Sequence, residues 1–255
     1  MTRISTSCAS ASLILAVLSG QPAFAAAPAA PRAVLLKPAP KGKPAPEAIA
    51  QLCASLPEPC DPAQLSAFVP SRPMPVDLYL IDESKPALLA AKFGPTGALQ
   101  LQFRQDFGQP DGVEESTETA AGWADEGPRR IFPALYPVSP TQWAVALLSR
   151  RSEMYSGGGA SFERADFIPL GTDAALHAGI PFSCNKMIRA CFSEADYRSG
   201  RPCHDEYSGR LSIRYQTRPG QADYRWQFFW HADGDRRGKR FKSADEAGFC
   251  GGDQG

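Results

Sequence analysis

The chain is short of the residues that carry chemistry. It has only three histidines, His177, His204 and His231, and neither His-Glu-x-x-His nor a Cys-x-x-Cys pair occurs, so the spacings that mark a zinc hydrolase or a zinc-stapled module are missing. There is no Gly-x-Ser-x-Gly elbow, which removes the serine nucleophile of one large hydrolase class. The glycine run Ser156-Gly157-Gly158-Gly159-Ala160-Ser161 lacks the four-residue interval and the following Lys-Ser/Thr of a nucleotide-binding loop. It reads instead as the tip of a hairpin. Asp233-Gly234-Asp235-Arg236-Arg237-Gly238 begins like a calcium loop, but Arg237 stands at the fifth position and Ala244 at the twelfth, where a cation needs oxygen ligands. From these absences no catalytic residue, metal or cofactor is assigned.

A charge excess is missing as well. The chain balances 27 basic against 27 acidic side chains, which argues against bulk nucleic-acid binding, where a basic excess supplies most of the affinity. No later segment approaches the run of roughly 20 apolar residues that spans a membrane.

What is present starts at residues 1–25. Arg3, an apolar run from Ala9 to Leu18 and the small-residue end Ala23-Phe24-Ala25 have the order of a secretory leader cleaved near Ala25. Cys8 lies before the apolar run, the wrong side for a lipid-modified cysteine. The expected location is therefore periplasmic or secreted, where thiols oxidise. Of seven cysteines, Cys8 leaves with the leader and Cys53, Cys60, Cys184, Cys191, Cys203 and Cys250 remain as disulfide candidates. Six can pair in about 15 ways. Cys53 and Cys60 flank Pro57 and Pro59 and make a local bridge; for the other four, Cys191 with Cys203 and Cys184 with Cys250 is preferred over the crossed arrangements.

Residues 26–46 are rich in Pro and Ala and predict an extended spacer. A single exported domain over 47–255 follows, about 210 residues, long enough to bury a substantial core. The best place for a seam within it is His177 to Ser183. Ala48, Ile49, Leu52 and Leu56 recur at helical spacing, and a second helix is expected behind Asp61, with Pro62 in its first turn, Gln64 completing a capping box, and Leu65, Phe68 and Val69 as its apolar stripe. From Val76 the period changes to two, clearest in Leu99-Gln100-Leu101-Gln102-Phe103-Arg104. Leu88 to Phe93 and Ala98 to Phe107 form a hairpin about Gly94-Pro95-Thr96-Gly97; Gln109 to Gly127 is a surface loop, with one helical turn around Glu115 to Ala121. Strands follow at Arg130 to Tyr136, Gln142 to Arg151, Ser161 to Leu170, Arg210 to Thr217, Tyr224 to His231 and Arg236 to Lys242, the last two joined by an Asp-Gly turn. The fold class expected is α+β and β-rich: short N-terminal helices, then antiparallel strands in one or two packed sheets, stapled by disulfides.

Two clusters are candidates for function. Arg236, Arg237, Lys239, Arg240 and Lys242 lie beside Phe228, Phe229, Trp230 and Phe241, a combination suited to an envelope protein or an anionic polysaccharide, since aromatic faces stack on sugars and cations neutralise acid groups. The binding residues expected are Arg236, Arg237, Lys239, Arg240 and Trp230, in a non-enzymatic envelope protein. The competing reading is a small envelope hydrolase or metal-dependent enzyme built on His204, Asp205 and Glu206, with His231 and Asp233 as further ligands. Neighbours on a strand point to opposite faces, which works against His204 and Asp205 acting together.

Overall fold

The computed structural model describes residues 31–108, 127–198, 203–232 and 237–241, together with Cys250. Strand β1 (Val34–Pro38) leads to helix α1 (Pro46–Ser55), then β2 (Leu65–Pro70), β3 (Leu78–Asp82), β4 (Ala87–Phe93), β5 (Leu99–Asp106), β6 (Arg130–Pro137), β7 (Trp143–Tyr155), β8 (Gly158–Pro169), β9 (His177–Arg189), helix α2 (Glu194–Arg198), β10 (His204–Arg218), β11 (Gln221–Ala232) and β12 (Lys239–Phe241). All twelve strands join one antiparallel sheet in the order β12-β11-β10-β9-β8-β7-β6-β1-β2-β3-β4-β5. The order is a meander interrupted once, where β1 inserts between β6 and β2.

That insertion departs from the spacer reading. Val34 and Leu36 lie in the tract assigned to an extended linker, yet Val34 is 0% exposed and Leu36 is buried. Proline favours extended backbone whether or not it is paired, and the Val-Leu-Leu between the prolines supplies an apolar face that a free spacer would leave in water. A second departure follows Asp61. Its carboxylate accepts from the Ala63 amide at 2.9 Å, so the cap is real, but it serves only a single 3₁₀ turn, Pro62–Gln64. The chain then enters β2, and Leu65, Phe68 and Val69 join a ladder with β3 and β1. Cross-strand pairing overrides a local helical pattern this short, for which nucleation is costly.

The hairpin about Gly94 to Gly97 forms as expected, with Ala87 to Phe93 opposite Leu99 to Asp106. The glycine tip is narrower than its sequence suggests: Tyr155 pairs with Gly158, leaving only Ser156 and Gly157 to turn, and Gly157 takes φ +94°. The stretch from His177 to Ser183 is no gap in the sheet, since β9 runs through it and pairs with both β8 and β10. Tyr224 to His231 does face the last strand, Phe228 opposite Phe241 and Trp230 opposite Lys239. The leader, the loop around Glu115 to Ala121, the Asp233-Gly234 turn, Arg236 and Lys242 lie outside the described residues.

The core has three parts. Leu78 and Leu80 pack with Leu89, Leu52 and Leu56 under α1, whereas Tyr79 and Ile81 pack with Leu88, Val34, Leu135 and Leu147 on the other face. Strands β3 and β4 are thus buried on both sides, which is why they read as continuous apolar runs and not as alternation. The third part lies under β6 to β12. Phe167 is its centre, meeting Tyr136 edge-on at 4.9 Å and Trp226 at 5.1 Å between ring centroids, and the Trp226 indole donates to the Pro137 carbonyl at 3.0 Å. A buried indole N–H needs such a partner.

Three disulfides pair the six described cysteines, Cys53–Cys60, Cys184–Cys250 and Cys191–Cys203, with Cα–Cα distances of 4.8, 5.9 and 4.7 Å. The first ties the end of α1 to the segment before the 3₁₀ turn. The third closes the loop that carries α2. The second fastens Cys250 to β9, with its sulfur 3.9 Å from the Tyr207 carbonyl oxygen of β10. No helix among the described residues is long and apolar enough to cross a membrane.

Candidate functional site

Alternation along β10, β11 and β12 divides the C-terminal residues between two faces. Trp226, Phe228 and Trp230 point inward with Phe241, and Trp230 is only 4% exposed. Trp230, expected to stack on a ligand, is therefore a core residue: it falls in phase with Phe228, and its ring lies against the backbone of Gly209, which has no side chain to hold it off. The opposite phase faces out. It brings Phe229 opposite Arg240 on β12 and opposite Ser212 on β10, with Arg214 two residues further along β10.

The Arg214 guanidinium carbon lies 4.2 Å from the centroid of the Phe229 ring. Such a contact holds a cation over an aromatic face and leaves its N–H groups directed at solvent. Arg210, opposite His231, and Arg225, opposite Gln216, extend the same face. Gln216 and Gln227 bond side chain to side chain at 3.0 Å, and Ser212 bonds the His231 ring at 2.8 Å. The outcome is an exposed surface of arginines around one half-buried phenylalanine. Lys239 and Arg240 sit on the edge strand and Arg237 precedes it, all three exposed. Of the basic run read from the sequence, Arg240 shares the face of Arg214, while Lys239 takes the phase of Trp230.

Arg210, Arg214 and Arg225 were not among the residues picked out by sequence, and Phe229 was named there only as part of the aromatic run. The signal was available in part. Arg210, Ser212, Arg214 and Gln216 are the polar members of an alternating strand, but alternation says only that they face water. That they stand beside Arg240 depends on the register of β10 with β11, fixed by the Pro219-Gly220 turn, where Gly220 takes φ +73°.

The histidine cluster is arranged differently. His204 opens β10, exposed, with Nε2 at 2.9 Å from Glu206 Oε1 on the same face. Asp205 takes the opposite phase. His231 lies beside Arg210, six positions along β10 from His204 and so about 20 Å away, and Asp233 lies outside the described residues. Among the described residues no three His, Cys, Asp or Glu side chains gather as a metal would require. His177, the remaining histidine, packs against Trp226 and Phe228 at 5.2 and 5.1 Å, and its burial lowers its pKa below the ordinary 6.5.

Comparison with known proteins found no matching family model, no matching curated protein and no matching solved structure.

Proposed function

We propose that this is an exported, non-enzymatic protein of the cell envelope that holds an anionic glycan against the outer face of β10, β11 and β12. One observation carries the reading: Arg214 stacked on Phe229, with Arg240 directly across the strand from the same ring. A guanidinium plane held over the Phe229 ring, with a second cation across the strand, matches a polymer that offers acid groups and sugar faces in alternation. The three disulfides suit an oxidising compartment and support export. Edge-strand cations also discourage sheet-to-sheet association, but that role asks nothing of Arg214, which lies on an inner strand.

The test is the double variant Arg214→Glu with Arg240→Glu, assayed for retention on immobilised polygalacturonate and on isolated envelope material. Loss of retention with an unchanged melting temperature is expected. Full retention by a folded variant would remove this face from the function.

A further inference from the structure

Beside the arginine face, the same outer surface carries a depression of about 500 Å³ across β7, β8, β9 and β10. Its floor follows from the strand register. Ser152 stands opposite Ser161, Ser161 opposite Asn185, and Asn185 opposite Ser208, and directly opposed residues share a face. Three hydroxyls and one carboxamide therefore line up over four strands, a row about 14 Å long. Each of these groups both donates and accepts hydrogen bonds, which suits a ligand dense in hydroxyl groups.

The flanking rows differ in character. On one side Met154 faces Gly159, which faces Met187 and then Glu206. Met154 is 88% exposed. A Cβ on Gly159 would meet its sulfur at 2.9 Å, so the bare backbone of that glycine is what lets the thioether lie flat along the rim. On the other side Arg150, Glu163, Ser183 and Arg210 form one row. Glu163 accepts from Arg130 at 2.6 Å and from the Ser183 hydroxyl at 2.6 Å. Burial by itself would raise its carboxyl pKa, but those hydrogen bonds and the charges of Arg130 and Arg150 outweigh burial and keep it ionised. Arg130 and Arg150 thus act on one carboxylate, and with Arg210 closing the row this side of the depression is net positive.

We propose that the depression binds a uronic acid unit, its ring hydroxyls on the row of Ser161 and Asn185, its carboxylate toward Arg150 and Arg210, and its ring C–H face against Met154 and Met187. This rests on the anionic-glycan reading of the adjoining face and adds to it the sugar class and the seat of one sugar. A simple inorganic anion has no use for the neutral floor, and an uncharged sugar none for the arginine end. A planar carboxylate beside hydroxyls uses both.

The experiment titrates digalacturonate, and separately its methyl ester, into the wild-type protein and into Asn185→Leu, Ser161→Val and Arg150→Gln, followed by calorimetry with the melting temperature of each variant recorded. The wild type should prefer the acid to the ester by about tenfold. Asn185→Leu and Ser161→Val should each weaken the acid by about tenfold, since an apolar wall replaces a hydrogen-bonding floor. Arg150→Gln should bring acid and ester to within about twofold of each other. The inference is overturned if the wild type does not saturate below about 10 mM disaccharide, if acid and ester bind alike, or if both floor variants, folded, bind as the wild type does. Its failure is separable from failure of the adjoining face. Polymer retention abolished by Arg214→Glu/Arg240→Glu without disaccharide binding leaves the face and removes the depression; disaccharide binding lost in Asn185→Leu, with polymer retention indifferent to the two arginines, does the reverse.

Discussion

Replacing Gly209 by alanine should cost between about 0.5 and about 5 kcal/mol, depending on whether the neighbouring ring shifts or is expelled. Gly209 is buried on β10 between Cys184 of β9 and Ala232 of β11. A Cβ there would fall 2.3 Å from Trp230 Cζ2, 2.6 Å from Cε2 and 2.8 Å from Nε1. Carbon atoms in contact prefer about 3.5–4.0 Å, so the indole would have to withdraw by more than about 1 Å. It is a rigid bicycle within the cluster of Phe228, Phe241 and Leu211 and has no flexible end to fold away. If the ring shifts, overpacking costs about 1–3 kcal/mol. If it is expelled, some 150–250 Å² of aromatic surface returns to water, about 4–6 kcal/mol at about 25 cal/mol/Å². The smaller chain entropy of unfolded alanine offsets about 0.4–1 kcal/mol. Urea unfolding followed by far-UV circular dichroism reads the loss, and tryptophan fluorescence should shift to the red if the indole is exposed. In a Trp230→Leu background the same alanine should be far cheaper, because leucine can rearrange; the double-mutant cycle isolates the clash. A loss below about 0.5 kcal/mol for Gly209→Ala alone would refute the placement of Trp230 across β10, and with it the assignment of that tryptophan to the core.

Removal of each disulfide as a Cys→Ala pair should destabilise in order of the loop it closes: about 2.5 kcal/mol for Cys53–Cys60, about 3 for Cys191–Cys203 and about 4 for Cys184–Cys250. Thiol labelling of the native protein followed by mass spectrometry should find all six of these sulfurs blocked; several reactive thiols would contradict the oxidised framework. Stability should fall on acidification from about pH 7 to about pH 5. The lowered pKa of His177 means the unfolded chain takes up a proton near its ordinary 6.5 that the folded chain refuses, so unfolding is favoured below that value. His177→Gln should flatten this slope, and an unchanged slope would locate the effect elsewhere. Truncation to begin at Ala45 should abolish cooperative unfolding in a thermal scan, because it deletes β1 from between β6 and β2 and opens two edges, whereas truncation to begin at Pro31 should leave the transition in place.

Strong alternation was enough for β5, and the turn chemistry of Gly94 to Gly97 placed its partner. Cys53–Cys60 and Cys191–Cys203 are legible in the sequence because each pair is close along the chain, where loop closure is cheapest. What could not be read were long-range pairings. Val34 to Pro38 looks like a linker until β6 and β2 close on it. Leu65 to Val69 has helical spacing that strand pairing overrides. The same limit applies to the site. The basic and aromatic run near the C-terminus was legible, but which aromatic faces outward is a matter of phase, and the phase puts Phe229 at the surface and Trp230 inside. Ser152, Ser161, Asn185 and Ser208 are four unremarkable polar residues scattered over 57 positions, and only the register of three ladders sets them in a row.

The salt dependence of polygalacturonate binding is decisive for the arginine face. Affinity for the wild-type protein measured from about 0.05 to about 0.5 M salt should fall steeply, because arginines on an open face are screened by ions, and the fall should be markedly shallower for Arg214→Glu/Arg240→Glu at every concentration where binding persists. Equal slopes for the two proteins, or an affinity that salt does not change, would contradict the assignment of this arginine face to an anionic glycan.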